Sequence, residues 1–396
     1  MFKEKFPIFK KTNMVFLDSA ASTQKPQIVL DALIDFYQTA YANVHRGSCH
    51  LSALATTRYE DARKTIALFL NIPEEQVIFT KGATESINLV AHGYEKILQK
   101  DDEILVAIAE HHANFVSWQQ VAKNTGAKFV TFDVKENGEL DLDDFLLKLN
   151  KKTKLVAISY VSNVLGIENP VQFIIEKAHS VGARVMVDGA QAIAHKKIDL
   201  TKLDADYFAF SGHKVYAPTG IGVLSGKKEA LQALPPYQFG GDMVETVSLS
   251  ETVFKDIPHK FEAGTPPFAE AIALARAIDF LNSISMEQIS SYEKELTTYL
   301  LGELLKIEDV EIFAPHMDKE GIVAFNVKGI HPTDIAFILA EQSVCVRVGH
   351  HCAMPLHKYF GKDITLRVSL AIYNDKADVD AFIVALKKSI HLLKRS

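Results

Sequence analysis

Asp206-Tyr-Phe-Ala-Phe-Ser-Gly-His-Lys-Val215 is an apolar segment that ends in basic residues, and the rest of the chain is best interpreted from it. Its aromatic and apolar half, residues 207–210, is typical of a strand buried inside a parallel sheet. The Ser-Gly-His-Lys that follows places a hydroxyl, an imidazole and the amine of Lys214 at the end of that strand. The pattern therefore predicts that a buried strand delivers Lys214 to a site.

A second stretch, one structural unit upstream, supplies a carboxylate. Residues 183–187 have the pattern of another buried strand, which ends in Asp188-Gly-Ala-Gln191. Asp188 precedes Lys214 by about one βαβ step, so both groups are expected to face one crevice. An amine that forms a Schiff base, with a carboxylate that keeps a pyridinium nitrogen protonated, is what a pyridoxal phosphate site requires. Two strand ends with ordinary charged residues are the alternative interpretation.

Length and composition are those of an ordinary globular protein. The chain has 396 residues, and single cores stop growing at roughly 250–300, so two domains are expected. With 48% apolar residues and a net charge of −6, nothing indicates nucleic-acid binding. No apolar run approaches the roughly 20 residues of a membrane span, and the first residues lack the apolar core of a signal peptide. Three cysteines make no disulfide framework, so a cytoplasmic location is expected.

Strand and helix patterns alternate through most of the chain. Strand patterns at residues 75–80, 103–108 and 155–159 are separated by helical stretches, which predicts an α/β fold with a mostly parallel, doubly wound sheet. Beyond a helix that ends near residue 284 the pattern becomes that of a smaller α+β unit, with strands expected at 322–327, 344–348 and 364–370. We expect a large domain at residues 18–284, and a small domain formed by residues 1–17 and 285–396.

Polar side chains follow several of these predicted strands. Gly82 and Thr84 open a helix whose free backbone N–H groups can receive an anion. The pair His111-His112 and, further on, Asn163 stand at carboxyl ends of strands, where α/β sheets place ligands. These residues are candidates for the same crevice as Lys214.

A second candidate site is Arg347-Val-Gly-His-His-Cys-Ala-Met-Pro355. Cys352 there has cationic neighbours, which favour a reactive thiolate. Zinc is the alternative, but the adjacent histidines lack the paired spacing of structural zinc sites, so no metal is expected. Arg367, in the next predicted strand, has the planar fork that suits a substrate carboxylate, with a surface salt bridge as the alternative.

Taken together, the motifs resemble those of the class V aminotransferase-like, fold-type I pyridoxal phosphate enzymes, and within them the SufS-type (group II) cysteine desulfurases and selenocysteine lyases. The resemblance covers most of the chain. Eight segments carry it in the family's order: His45-Arg-Gly, Ala83-Thr-Glu, Glu110-His-His-Ala-Asn, Val161-Ser-Asn-Val-Leu-Gly, Val187-Asp-Gly-Ala-Gln-Ala, Ser211-Gly-His-Lys, Phe261-Glu-Ala-Gly-Thr-Pro and Arg347-Val-Gly-His-His-Cys-Ala-Met-Pro.

The resemblance implies a role for each candidate residue. Lys214 would form the Schiff base with pyridoxal 5'-phosphate, Asp188 would pair with the pyridine nitrogen, and His111 would stack on the ring. Further cofactor contacts are implied for Gln191, at the phenolic oxygen, and for Thr84, Ser211 and His213, at the phosphate, with Thr265 reaching across from the second subunit of a homodimer. Substrate contacts are implied for Arg367 and Asn163, at the carboxylate, and for His45 and Arg347, which would line the pocket.

The implied reaction is cleavage of L-cysteine to L-alanine, with the sulfur left as a persulfide on Cys352. A SufE-type or SufU-type acceptor would then carry the sulfur to iron–sulfur cluster assembly. A selenocysteine lyase is the nearest alternative. Transamination and kynureninase-like cleavage are further alternatives, but they give Cys352 no role. The non-enzyme alternative is an inactive assembly scaffold, and such a protein would carry no cofactor. Cys49 departs from the family's pattern and adds a thiol near the presumed pocket mouth.

Overall fold

The computed structural model describes residues 2–45 and 47–395. Met1 and Ser396, at the two ends of the predicted small domain, and Arg46 of the His45-Arg-Gly motif lie outside the described residues.

The helices occur throughout the chain. They are α1 (Ile8–Lys11), α2 (Gln27–Thr39), α3 (His50–Leu70), α4 (Ala83–Ile97), α5 (His112–Thr125), α6 (Leu142–Lys148), α7 (Val171–Ser180), α8 (Leu200–Leu203), α9 (Lys228–Ala233), α10 (Phe268–Ile284), α11 (Met286–Leu305), α12 (Pro332–Glu341), α13 (Met354–Tyr359) and α14 (Lys376–Leu393).

The strands are mostly short. They are β1 (Val15–Phe16), β2 (Val77–Thr80), β3 (Glu103–Ala107), β4 (Lys128–Phe132), β5 (Thr153–Ser159), β6 (Arg184–Asp188), β7 (Tyr207–Ser211), β8 (Gly222–Gly226), β9 (Val244–Val247), β10 (Thr252–Phe254), β11 (Val310–Ile312), β12 (Ile322–Val327), β13 (Val344–Cys345), β14 (Arg347–Gly349) and β15 (Thr365–Ser369).

The larger sheet has the order β2-β8-β7-β6-β5-β3-β4. Strands β7, β6, β5, β3 and β4 are parallel, and β8 runs antiparallel to both of its neighbours. Alternate residues of β3 point to opposite faces of the sheet. Leu105 packs into the apolar core on one face, and Ile104 packs into the apolar core on the other. Helices therefore cover both faces of the sheet, and the prediction of an α/β fold with a mostly parallel, doubly wound sheet is confirmed.

A smaller antiparallel sheet, in the order β11-β12-β15-β14, follows in the C-terminal part of the chain and has an apolar core of its own. Ser285 separates α10 from α11 with a positive φ of 80°. Near the other end of the chain, β1 pairs with β13. On this basis we propose the division into residues 18–284 and residues 1–17 with 285–396.

The prediction of one continuous strand at residues 344–348 is wrong. The structure has two strands there, because Val344–Cys345 pairs with β1 whereas Arg347–Gly349 pairs with β15. The chain changes partners at Val346, and this change places Arg347 directly opposite Arg367. Among the described helices, none is long and apolar enough to cross a membrane.

Candidate active site

Lys214 follows β7, whose five residues are all buried. The chain turns sharply there through a short 3₁₀ segment, Gly212–Lys214. A Cβ atom on Gly212 would come within 2.7 Å of the Ile221 side chain, so the turn requires glycine. Lys214 lies in the interior with part of its side chain open to a cavity, and burial lowers the pKa of its amine to about 8.

Asp188 ends β6, the strand next to β7. Its carboxylate is buried, and Oδ1 accepts a hydrogen bond of 2.9 Å from the Ala190 N–H. Burial raises the pKa of Asp188, and the nearby Lys214 amine opposes that rise. The sheet thus holds a carboxylate and an amine within electrostatic reach of each other.

A cavity of about 290 Å³ lies over these two strand ends. It brings together most of the residues predicted from the sequence. Those that line it are Thr84, His111, Asn163, Asp188, Gln191, Ser211, His213, Lys214, Arg347, Cys352 and Arg367. The first eight belong to the part of the chain that forms the larger sheet and its helices, and the last three to the part that forms the smaller sheet, so the cavity lies where these two parts meet.

Two predicted residues lie elsewhere. His45 does not line this cavity within one chain: its ring lies 2.8 Å from Glu60 and 3.1 Å from Asp242, and its place in the pocket of the working enzyme stays a prediction. Thr265 borders a separate recess of about 140 Å³ beside Asp242. Cys49 is exposed and is not among the described residues that line the cavity of Lys214.

The amino end of α4 borders the cavity. The Ala83 N–H donates to Ser211 Oγ at 2.8 Å, and Thr84 follows in the first turn of this 15-residue helix. Gly82, the residue before helix α4, packs directly against Gly222. A Cβ atom on Gly222 would lie only 2.4 Å from Gly82 Cα, so this contact requires glycine. This close approach places a hydroxyl-rich helix terminus, which suits a phosphate, beside Lys214.

Two histidines of the cavity carry neutral rings. His111 caps α5, with Nδ1 accepting from the Ala113 N–H at 3.1 Å. Burial and the Lys214 charge lower the pKa of His111 to about 3 and that of His213 to about 4. A neutral imidazole suits stacking on an electron-poor ring and leaves the positive charge of the cavity to Lys214 and the arginines.

Arg347 and Arg367, on adjacent strands, share one carboxylate. Asp18 accepts from Arg347 Nη2 at 2.8 Å and from Arg367 Nη2 at 3.3 Å. Arg367 Nη1 donates to the Asn163 carbonyl at 2.9 Å, and Arg367 Nε is buried with no partner among the described residues. The Arg367 guanidinium is therefore fixed in position and has a donor to spare.

Cys352 stands exposed at the rim, on a loop held by hydrogen bonds. The His112 N–H donates to the Cys352 carbonyl at 2.7 Å. Asn163 Nδ2 donates to the His351 carbonyl at 2.6 Å. The thiol at the cavity wall thus belongs to a loop attached to the larger sheet at two points.

Asp18 and Glu110 were not selected in the sequence analysis, although both make contacts at the site. Asp18 follows β1, and its only signal was a position just after a short apolar run. Glu110 is fully buried and accepts from Asn114 Nδ2 (2.7 Å) and from the Ser159 N–H (2.7 Å). Burial raises the pKa of Glu110 to about 8. Its place directly before His111 was the signal that could have identified it.

The donor set fits pyridoxal phosphate. Lys214 offers an amine and Asp188 a buried carboxylate, while a helix terminus with Ser211 beside it offers donors to a phosphate. The fold and these donors together define a fold-type I enzyme of the pyridoxal phosphate class. In residues 2–45 and 47–395 no cluster of three or more metal-ligating side chains is found.

Comparison with known proteins leads to the same class. The aminotransferase class-V family model matches residues 15–382, and the chain belongs to that family. It is 45% identical over 393 residues to a probable cysteine desulfurase of Halalkalibacterium halodurans, covering 98% of this chain and 97% of that protein. A probable cysteine desulfurase of Staphylococcus aureus strain N315 is 47% identical over 391 residues, covering 97% and 95%.

Solved structures agree. A cysteine desulfurase of Escherichia coli superposes with a TM-score of 0.93 at 40% identity, covering 99% of this chain and 98% of its own. One from Thermococcus onnurineus NA1 gives 0.94 at 37% identity, covering 98% and 96%. A C-DES variant with glycine covalently linked to its PLP cofactor gives 0.86 at 21% identity, covering 97% and 98%, which shows a shared fold.

Proposed function

We propose that this protein is a pyridoxal phosphate-dependent cysteine desulfurase that converts L-cysteine to L-alanine and leaves the sulfur on Cys352. The observation that carries the proposal is that Cys352, Lys214 and Arg367 line one cavity. An amine, a carboxylate receptor and a nucleophilic thiol are the three groups that the reaction needs. A transaminase or a kynureninase-like enzyme would leave Cys352 without a role.

Substrate binding falls to Arg367 and its neighbours. The guanidinium plane, which is fixed at the cavity wall, suits the carboxylate of an amino acid. Asn163 is placed to assist, because its carbonyl orients Arg367 while its side-chain amide holds the Cys352 loop. In this proposal Arg347 lines the same pocket, and its contact with Asp18 fixes its position.

Lys214, Asp188 and His111 serve the cofactor. When bound, pyridoxal phosphate withdraws electrons from the substrate's α-carbon. Asp188 would hold the pyridine nitrogen protonated, His111 would stack on the ring, and Gln191, Thr84, Ser211 and His213 would contact the phenolic oxygen and the phosphate. The Lys214 amine, with a pKa lowered to about 8, is suited to take a proton from the substrate and return one to the product.

Cys352 performs the sulfur transfer. Its thiolate attacks the substrate sulfur, an S–S bond forms, and the substrate's C–S bond breaks with its electron pair remaining on carbon. Protonation of that carbon gives alanine. The balance is one cysteine and one enzyme thiol converted to one alanine and one enzyme persulfide, with no external oxidant.

The test compares wild type, Cys352→Ser and Cys49→Ser on L-cysteine with reductant present, measuring alanine and sulfide. We expect equal yields of both products from wild type and from Cys49→Ser, and almost none from Cys352→Ser. Inactivity of wild type on cysteine, with release of selenide from L-selenocysteine, would instead identify a selenocysteine lyase. Alanine formation by Cys352→Ser at the wild-type rate would exclude the persulfide mechanism.

We further propose that the sulfur passes to a SufE-type or SufU-type acceptor for iron–sulfur cluster assembly. The exposed position of Cys352 supports this, because a partner's thiol can approach it from outside. Incubation with ³⁵S-cysteine and a candidate acceptor should label the acceptor through wild type and not through Cys352→Ser. A cytoplasmic location accompanies this role.

A homodimer is proposed as the working form. Thr265 lies apart from the cavity of its own chain, and the exposed Ile34 and Tyr37 of α2 offer an apolar face for a second copy. If Thr265 completes the partner's phosphate site, mixing inactive Lys214→Ala and Thr265→Ala proteins should restore activity through hybrid dimers. A monomer by light scattering, or no recovery on mixing, would contradict the proposal.

A further inference from the structure

A chain of hydrogen bonds links three buried side chains beside Cys352: His357 of α13, Thr365 of β15, and His351. His357 Nδ1 lies 3.0 Å from the Ala353 carbonyl, and His357 Nε2 lies 3.1 Å from Thr365 Oγ1. Thr365 Oγ1 lies 3.0 Å from His351 Nε2. Helix α13, strand β15 and the residue before the thiol are thereby joined through one hydroxyl.

The direction of each hydrogen bond follows from elementary chemistry. A carbonyl oxygen only accepts, so His357 Nδ1 donates to Ala353, and Nε2 of the neutral ring accepts the Thr365 hydroxyl proton. The Thr365 oxygen must then accept from His351 Nε2–H. The Thr365 carbonyl, 3.1 Å from the same nitrogen, also only accepts, and it imposes the same direction independently.

Both rings are neutral in this arrangement. Burial and the neighbouring Arg367 lower the pKa of His351 to about 2, and burial lowers that of His357. The chain therefore selects the Nε2–H form of His351. Its Nδ1 is left as an acceptor, buried and without a partner in the described part of the chain.

The backbone that carries this ring has an unfavourable conformation. His351 and Cys352 have φ values of 48° and 57°, in the left-handed region that non-glycine residues seldom adopt. Two consecutive residues of this kind persist only where the surroundings fix them. The buried His351 ring is one such restraint, in addition to the hydrogen bonds from Asn163 and the His112 N–H.

We propose, on the basis of the desulfurase function above, that Thr365 and His357 are positioning residues for Cys352. Their hydrogen bonds fix the ring of His351, and with it the left-handed backbone that presents the thiol to the cavity. Neither side chain needs to touch the substrate. Loss of the Thr365 hydroxyl should impair sulfur transfer without weakening substrate binding.

The test uses the pair Thr365→Val and Thr365→Ser in the holoenzyme. Valine keeps the shape and removes the hydroxyl, whereas serine keeps the hydroxyl. We expect Thr365→Val to lower kcat for alanine formation by about tenfold, as for loss of a buried hydrogen bond, with KM within about twofold of wild type. Thr365→Ser should retain kcat within about threefold.

A second readout does not depend on activity. In wild-type protein with ¹⁵N-labelled histidine, assigned through His351→Gln, His351 should show the Nε2–H form at neutral pH. Thr365→Val keeps the backbone carbonyl that accepts this proton, so the Nε2–H form should persist in the variant while the ¹⁵N shifts of the ring change with loss of the hydroxyl. An Nδ1–H form or an imidazolium in wild type would overturn the proposal even if a variant failed to fold. Equal loss of kcat in the Val and Ser variants, or none in Val, would overturn it too. Wild type that makes no alanine would refute the proposed function, while the ¹⁵N spectrum would still decide on the His351 form.

Discussion

Asp18 Oδ1 lies 3.3 Å from Nη2 of Arg367, so the arginine proposed to receive the substrate already has an internal carboxylate beside it. Asp18 also accepts a hydrogen bond from Arg347, which lies directly opposite Arg367 on the adjacent strand. The aspartate thus offsets the repulsion between two adjacent guanidinium groups. The arginine that we propose for substrate binding is therefore already oriented by contacts within the protein.

We expect Arg367→Lys to raise KM for L-cysteine by about 10- to 100-fold, because lysine cannot reproduce the planar fork and a hydrogen bond between charged groups is lost. Steady-state alanine formation is the measurement. Arg276→Lys, which changes an exposed arginine on α10, is the matched control. An unchanged KM would show that the carboxylate binds elsewhere.

Lys214→Ala should lose covalent attachment of the cofactor. Borohydride reduces a Schiff base to a stable amine, so the intact mass of reduced wild type should increase by one reduced cofactor per chain, whereas Lys214→Ala should show no increase. Lys25→Ala is the control, since its amine is also partly buried near His213. Modification of the Lys214→Ala protein would assign the attachment to another lysine.

Lys319 should make stability depend on pH in the alkaline range. Burial lowers the pKa of its amine to about 7, although two carbonyls, of Leu165 and Phe313, accept from it at 2.8 and 2.9 Å. Between about pH 7 and its ordinary value of 10.5 the unfolded chain binds more protons than the folded one, so unfolding free energy rises with pH. Below pH 7 the penalty is fully present.

The Lys319→Met variant isolates this contribution. Its unfolding free energy relative to wild type should be highest near pH 7 and should fall by a few kcal/mol, at most, as the pH rises towards 10. Chemical denaturation across that range measures the difference, with the exposed Lys294→Met as control. A difference independent of pH would mean that Lys319 keeps its ordinary pKa.

Glu262→Gln should destabilise the fold strongly. Glu262 accepts two hydrogen bonds of 2.8 Å from the buried Arg63, and a third from the Phe79 N–H in β2. Removing its charge leaves the buried Arg63 with the partly exposed Glu60, 2.9 Å from Arg63 Nε, as its remaining carboxylate, at a cost of about 3 kcal/mol. Denaturant unfolding should show this loss, whereas Glu295→Gln, at an exposed glutamate, should change stability by less than about 0.5 kcal/mol. A small effect in Glu262→Gln would mean that water reaches Arg63.

The sequence predicted the fold and the Lys214 side of the site well, for a physical reason. Buried parallel strands are continuous apolar runs, and their carboxyl ends meet at one edge of a sheet, so Asp188 and Lys214 had to be neighbours. Helix and strand bounds differed from expectation by a residue or two, because capping and fraying decide the ends.

Local sequence patterns could not predict the contacts between distant parts of the chain. Asp18 gains its importance because β1 joins β13 and because Asp18 itself pairs with Ser369, in the strand of Arg367. His45 was assigned to the pocket by motif alone, yet Glu60 and Asp242 hold its ring elsewhere. The hydrogen-bond chain through Thr365 depends on side-chain directions that sequence spacing does not reveal.

The exposed position of Cys352, with Lys214 in the interior, has a consequence for product release. In the reaction proposed above, alanine is free to diffuse away once formed, but the sulfur stays bonded to Cys352 until another thiol removes it. At steady state, therefore, cysteine consumption can be no faster than unloading of the cysteine, however much substrate is supplied. The supply of sulfur acceptor, rather than that of cysteine, would set the flux and keep free sulfide scarce.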